Sequence, residues 1–86
     1  MPVICRFFGI AIRMYYRDHA PPHFHARYGE HEIVVSIEDL EIIEGSLPPR
    51  ARRMVIEWAF LHRDALRRDW TLARAGEPLQ SVPPLE

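Results

Sequence analysis

The sequence predicts an α+β domain: a four-stranded antiparallel sheet of two β-hairpins, covered by one long C-terminal helix and followed by an extended, proline-rich tail. Three observations favour this class: alternation typical of strands before residue 38, apolar residues at three- and four-residue steps after residue 48, and prolines between the segments. Strands joined as hairpins need no crossover helix. The 86 residues suffice for one domain, with the sheet at about 3–38, the helix at about 48–75 and the tail at 76–86.

The first hairpin is predicted on either side of Gly9. Residues 3–8 are rich in aromatic and branched side chains, and residues 10–17 alternate between two faces of a strand. The proline pair Pro21-Pro22 ends this pattern because proline cannot donate a hydrogen bond to a sheet. One face then carries Ile10, Ile12, Met14 and Tyr16, and the other carries Ala11, Arg13, Tyr15 and Arg17.

The second hairpin joins residues 23–28 to residues 31–38 through Gly29-Glu30, a pair suited to a type II′ turn. This turn places Phe24 opposite Val35 and makes Arg27 and Glu32 a favourable cross-strand pair. The register collects the apolar side chains on one face and the polar ones on the other, whereas a slip by one residue would mix them. The apolar face consists of Phe24, Ala26, Ile33, Val35 and Ile37.

One helix is predicted between the prolines near residue 48 and Gly76, a residue typical of helix ends. We expect the sheet to pack against Val55, Trp58, Leu61 and Leu66. An unbroken helix would be roughly 40 Å long, which is more than short strands can cover. It therefore either breaks near residues 62–64 or packs its C-terminal half on a partner chain, for instance in a homodimer. The acidic run before it, residues 39–44, is interpreted as a turn.

Composition excludes several classes of protein. Eleven basic and twelve acidic residues give a net charge of −1, which argues against binding nucleic acid by bulk charge; all eleven basic residues are arginine. Cys5 is the only cysteine, so the chain can form neither an internal disulfide nor a zinc site of several thiolates. There is no signal peptide and no apolar run near 20 residues, which predicts a cytoplasmic protein without a membrane partner.

The densest group of chemically active residues is a histidine cluster at residues 18–25. His23 and His25 alternate onto one strand face, with their Cα atoms about 6.5–7 Å apart, and two imidazoles so placed can share a tetrahedral cation. His19 or Asp18 could supply a third ligand if the Pro-Pro turn folds back. One hypothesis is therefore a site for zinc or another divalent transition metal at His19, His23 and His25. The alternative is a structural cluster that needs no cofactor.

A second hypothesis concerns the polar face of the sheet. Arginine presents a planar fork suited to phosphate, and histidine titrates near neutral pH. Small ribonucleases use this combination to stabilise phosphate charge and to move protons. The candidate catalytic residues of such a metal-independent ribonuclease, with RNA as substrate, are Arg13, Arg17, His23, His25 and Arg27. The alternative is a solvated face.

The helix offers candidate partner-binding residues. Arg50, Arg52 and Arg53 lie in its first turns, where positive charge opposes the helix dipole, so they do not serve helix stability. Trp70 is large enough to anchor an interface and lies in the half of the helix that the sheet is least able to cover. These features make Trp70, Arg50 and Arg53 candidate contacts for a partner. The alternative for the arginines, which the sequence favours, is a solvated face.

Several short segments together have a family likeness: Asp18-His19 with Pro22-His23-Phe24-His25, then Leu61-His62-Arg63, and Trp58 and Trp70. With them the chain resembles, over essentially its whole length, the small bacterial domain-of-unknown-function family 4160. The resemblance implies no established activity. It does imply a toxin–antitoxin-like two-gene module, in which the partner is a small antitoxin-like protein of the domain-of-unknown-function family 2442.

Overall fold

The computed structural model, which describes residues 2–86, contains one antiparallel sheet of five strands in the order β1-β2-β3-β4-β5. Two helices follow the sheet, so the predicted α+β class with an antiparallel sheet is confirmed. The elements are β1 Val3–Phe7, β2 Ile10–Arg13, β3 His23–Tyr28, β4 His31–Ser36, β5 Ile42–Gly45, α1 Pro49–Leu61 and α2 Arg63–Arg74.

The hairpin of β3 and β4 has the predicted register. Phe24 pairs with Val35 and Arg27 with Glu32, and Gly29 supplies the positive φ of 60° at the first turn position. The alternation of apolar and polar residues explains why the register is unambiguous. The apolar face predicted for this hairpin is fully buried: Phe24, Ala26, Ile33, Val35 and Ile37.

The prediction of four strands was wrong, because part of the acidic run forms β5 against β4. Gly45 makes this pairing close: a Cβ at this position would overlap the carbonyl oxygen of Glu32, and φ is +80°. All four residues of β5 are exposed. The strand therefore has neither the alternation nor the burial that marks a strand in sequence, and it leaves the β5 edge of the sheet uncovered by the described chain.

The prediction of one long helix was also wrong. His62, with φ −121° and ψ 27°, leaves the helical region and separates α1 from α2. The break lets α2 return to the core, where Leu66 and Ala73 are fully buried beside Val55 and Trp58 of α1. Leu61, expected in the core, is instead 61% exposed at the end of α1. Of the two arrangements left open by the sequence, the structure shows the break.

The proline-rich tail is attached to the rest of the chain by hydrogen bonds. The Val82 amide donates to the carbonyl oxygen of Ile4 (2.9 Å), and the indole Nε1 of Trp58 donates to the carbonyl oxygen of Pro83 (2.8 Å). Val82 itself is buried. The tail therefore covers part of the β1 edge, which an antiparallel sheet would otherwise expose.

Neither α1 nor α2 is long and apolar enough to cross a membrane, and the same holds for every helix within residues 2–86. The predicted cytoplasmic location stays a prediction.

Candidate metal centre

Asp18, His23 and His25 form a compact cluster on the sheet face opposite the buried apolar one. His23 and His25 are the first and third residues of β3, so the alternation of the strand directs both rings to the same side. Asp18 comes from the loop between β2 and β3, which folds back through Pro21 and Pro22. One nitrogen from each ring and one carboxylate oxygen all lie within 4.8 Å of one another.

The hydrogen bonds of His23 fix which of its ring nitrogens carries a proton. Its Nδ1 lies 2.7 Å from the carbonyl oxygen of Pro21, which can only accept, so Nδ1 donates. Its Nε2 lies 2.9 Å from Oδ2 of Asp18, and an ionised carboxylate also only accepts. His23 is 3% exposed, so water is not available to resolve this conflict. A cation is required at Nε2, either a proton or a metal ion.

His25 shows the same pattern. Its Nδ1 lies 3.2 Å from Oε2 of Glu32 and donates to it, whereas its Nε2 lies 3.8 Å from Oδ2 of Asp18. That distance is too long for a hydrogen bond, and Nε2 is buried without any partner in the described chain. A proton on His23 would satisfy the His23–Asp18 pair and leave this nitrogen orphaned. One metal ion between the three residues would satisfy both rings and the carboxylate.

His19 borders the cluster as a third imidazole. Its Nδ1 lies 3.1 Å from the carbonyl oxygen of Ala20, and its Nε2 lies 3.6 Å from Oδ1 of Asp18. The side chain is 82% exposed, so its ring can rotate without disturbing packed neighbours. All three histidines therefore use Nδ1 as the donor and turn Nε2 towards the same carboxylate.

The Asp18 carboxylate is held in its ionised form. Partial burial acts to raise its pKa, but the hydrogen bond from the His19 amide (2.8 Å) and the charge and hydrogen bond of His23 outweigh burial, so that the pKa lies below its ordinary value. One carboxylate oxygen and two imidazole nitrogens, once the rings have released their Nε2 protons, are the donor set of the 2-His-1-carboxylate metal sites.

Hydrogen bonds at Nδ1 orient the two imidazole rings. Glu32 holds His25 and the Pro21 carbonyl holds His23, which is the arrangement that fixes the tautomer of metal-binding histidines. Around them stand aromatic rings: Tyr15 lies edge-on to His25 at 4.5 Å between centroids, and Trp70 lies 5.2 Å from His23. The cluster lies in a cleft of about 370 Å³ whose remaining walls include Tyr16, Arg17, Ile43 and Glu44.

The sequence did not point to Glu32 as part of this site. Its position opposite Arg27 was predicted and is confirmed, yet its carboxylate bonds to His25 and forms no ion pair with Arg27 within residues 2–86. The signal that could have revealed it is the diagonal relation across the hairpin, because Glu32 lies two residues from Val34, the partner of His25.

The three candidate arginines go to different places. Arg13 pairs with His25 across β2 and β3 and is half-buried. Arg27 is exposed and donates from Nε to the Gly29 carbonyl oxygen at the far end of the hairpin. Arg17, with φ +54°, donates its amide to Ala73, and its guanidinium packs on Gly76, beyond the end of α2.

The candidate partner-binding residues differ in their exposure to solvent. Trp70 is 9% exposed and covered by this chain's own core, so the expectation that its half of the helix stays uncovered was wrong. Arg50 and Arg53 are exposed on α1. A role for these three residues in binding a partner stays a prediction.

Comparison with known proteins places the chain in a family. The sequence model of the family described as "Domain of unknown function (DUF4160)" matches residues 9–71, which is well over half of the chain. The chain belongs to this family. The matched segment of this DUF4160 member contains the whole histidine cluster, β2 to β5 and α1. No curated protein and no solved structure matches the chain.

Proposed function

We propose that this DUF4160 protein binds one divalent transition-metal ion through Asp18, His23 and His25. The observation that carries the proposal is Nε2 of His25, a buried nitrogen without a hydrogen-bond partner, 3.8 Å from a carboxylate oxygen that already faces Nε2 of His23. Buried polar atoms in proteins are almost always satisfied, and an unsatisfied one indicates a missing partner. A metal ion bound by both rings and by Asp18 is that partner.

The donor types narrow the choice of metal. Two imidazole nitrogens and one carboxylate oxygen suit zinc, iron(II), cobalt, nickel or copper, and they suit calcium or magnesium poorly. Cys5 contributes no thiolate because it is buried in the hydrophobic core. We name Zn²⁺ as the first ion to test, with Zn–N bonds of about 2.0–2.1 Å. Closing the present donor positions around it requires only small side-chain shifts.

His19 supplies the fourth ligand in this proposal. Its Nε2 already lies beside the Asp18 carboxylate, and its exposed ring is free to turn towards the ion. With His19 bound the ion has a complete tetrahedral set, and with His19 turned away one position opens to the cleft. An open position is what metal sites that activate water or a substrate retain, whereas structural sites are closed.

The decisive experiment is metal titration of the full chain, produced without a histidine tag and stripped with a chelator. We expect one equivalent of Zn²⁺ to bind and to raise the melting temperature, since an ion at 100 times its Kd adds about 2.7 kcal/mol to the free energy of unfolding. His25→Gln removes the orphaned nitrogen from a half-buried position and should abolish the shift. His31→Gln, which changes an exposed histidine of the same hairpin, is the matched control and should not.

Two results would contradict the proposal. One is a wild-type chain that binds none of zinc, iron(II), cobalt, nickel and copper more tightly than about 100 μM, a weak affinity for three converging donors. The other is a His25→Gln variant that binds as tightly as the wild type.

We propose as a second candidate the toxin–antitoxin-like role that the family resemblance implies, with a cognate small protein as partner. The observation that favours a partner is the exposure of two adjacent large apolar residues, Phe60 at 67% and Leu61 at 61%. The metal-independent ribonuclease has less support, because Arg27 is engaged at the far end of the hairpin from His23. Expressing wild-type protein and a His23→Ala/His25→Ala double mutant tests it: equal growth and intact RNA in both would exclude it.

A further inference from the structure

A groove on the outer side of α1 combines an apolar floor with arginines that have no partner. The groove has a volume of about 530 Å³ and lies between α1 and the turn that precedes β5. Its apolar lining is Leu40, Ile56 and Phe60, and its charged lining is Arg52, Arg53 and Glu57. The largest side chain of its lining, Phe60, is 67% exposed, so an apolar ring of the groove faces solvent.

The arginines around this groove stabilise nothing in the described chain. Arg52 and Arg53 are exposed and take part in none of the ion pairs found within residues 2–86, which involve Arg67 and Arg68. They lie at the end of the first turn of α1 and just beyond it, where the helix dipole has little effect. Their charges are therefore free to meet an external anion.

Arg63 lies beside the groove without lining it. Arg63 is half-buried, and its guanidinium lies over the Phe60 ring at 5.9 Å. Positive charge therefore continues past the apolar floor at the Phe60 end of the groove.

We infer that this groove binds an acidic amphipathic helix of a partner protein. Ile56 and Phe60 are four residues apart on α1 and form a ridge against which a second helix can pack. Apolar side chains of the partner fill the space between Leu40 and Phe60, and its Asp or Glu residues meet Arg52, Arg53 and Arg63. This inference is independent of the metal centre, and it specifies the surface and the partner chemistry for the second function proposed above.

The charge distribution decides against two other occupants. A second copy of this chain packed by a two-fold axis through this groove would bring the three arginines close to their own copies. A nucleic acid would match the arginines but not the floor, which is made of aliphatic side chains and one ring instead of a row of stacking platforms. Both are outcomes that the experiment separates.

The test uses a synthetic peptide of about 16 residues, long enough to form a helix, with leucines at one face and glutamates at the other. Binding to the full chain is followed by fluorescence anisotropy. We expect saturable binding that weakens at least tenfold in Phe60→Ser. The matched control is Phe8→Ser, which changes another exposed phenylalanine, in the turn between β1 and β2 and outside the groove, and should leave affinity within threefold. Both sites are exposed, so neither change should unfold the chain.

A charge swap tests the chemistry. The Arg52→Glu/Arg53→Glu double variant should lose the glutamate peptide and gain a lysine peptide of the same design, whereas Arg6→Glu on β1 should change neither. The inference is overturned by absence of saturable binding below about 1 mM, by binding that Phe60→Ser leaves unchanged, by equal binding of both peptides to the wild type, or by an RNA oligomer that competes for the groove. A chain that dimerises through Phe60 would overturn it too. Chelators should have no effect, so failure of the metal proposal is read separately.

Discussion

Replacing Glu32 with Gln should weaken metal binding without changing any ligand. Glu32 accepts a hydrogen bond from Nδ1 of His25 at 3.2 Å, and the substitution keeps the size and one acceptor oxygen while it removes the charge. With an ordinary metal–nitrogen bond and the width of the ring, the carboxylate lies about 7 Å from a bound dication. The lost attraction is about 1.2 kcal/mol at a dielectric constant of 80 and about 2.4 kcal/mol at 40.

The solvent exposure of Glu32 decides where in that range the effect falls. Its side chain is 39% exposed, so water screens the charge and the lower half of the range applies. The dissociation constant for Zn²⁺ should therefore rise about tenfold, at the lower end of the 10–100-fold typical of residues that orient metal ligands. Isothermal titration against a competing chelator at fixed ionic strength measures this change directly.

Glu30→Gln is the matched control. It removes the same charge from the same hairpin, but Glu30 lies in the exposed turn, about 10–13 Å along the hairpin from His25, beyond the Debye length of about 8 Å at 0.15 M salt. A Glu32→Gln variant that binds Zn²⁺ within threefold of the wild type, or no worse than Glu30→Gln, would refute the reasoning that Glu32 orients His25 for metal.

Three further predictions concern the scaffold. Gly45→Ala should lower the free energy of unfolding by about 3 kcal/mol or more, because the new Cβ overlaps a β4 carbonyl. Gly29→Ala, which also has a positive φ but open space around the new Cβ, should lower it by about 1–2 kcal/mol, and urea melts distinguish the two variants. Phe8→Asn should raise the free energy of unfolding by about 0.5–1.5 kcal/mol. The reason is that Phe8 (φ +48°, 61% exposed) and Gly9 (φ +81°) form a turn that prefers Asn-Gly. A lower melting temperature of the variant would contradict this. Burial raises the pKa of Cys5 despite its hydrogen bonds, so at neutral pH the folded chain should react with thiol reagents at least about 100-fold more slowly than the unfolded chain.

The second hairpin could be predicted in detail because several local rules agreed. Gly29-Glu30 fixed the turn, and alternation of apolar residues from Phe24 to Ile37 left one register that buries them. The same register put His23 and His25 on one face, so the candidate site followed from the strand period. Side-chain choices between equivalent partners were not predictable: Glu32 faces both Arg27 and His25, and only the packed geometry shows that it bonds to His25.

The sequence did not predict β5 or the break between α1 and α2. Both depend on contacts with the rest of the fold and not on a local pattern of residues. The strand Ile42–Gly45 has no buried residue and is held by backbone pairing with β4, which leaves no trace in hydrophobic spacing. The break at His62 interrupts an apolar pattern that continues on both sides of it. The break allows α2 to pack on this chain's own core, and a three- or four-residue period carries no information about what the helix packs on.

The hydrogen bond between Val82 and Ile4 joins two segments that are far apart in sequence, with β2 to α2 between them. During synthesis on a ribosome, at about 5–20 residues per second, β1 therefore emerges several seconds before the segment that covers its edge. In that interval the nascent chain presents an open strand edge, which is a template for pairing with another chain. The order of synthesis therefore makes this chain prone to aggregation until residue 82 has been made and has docked on β1.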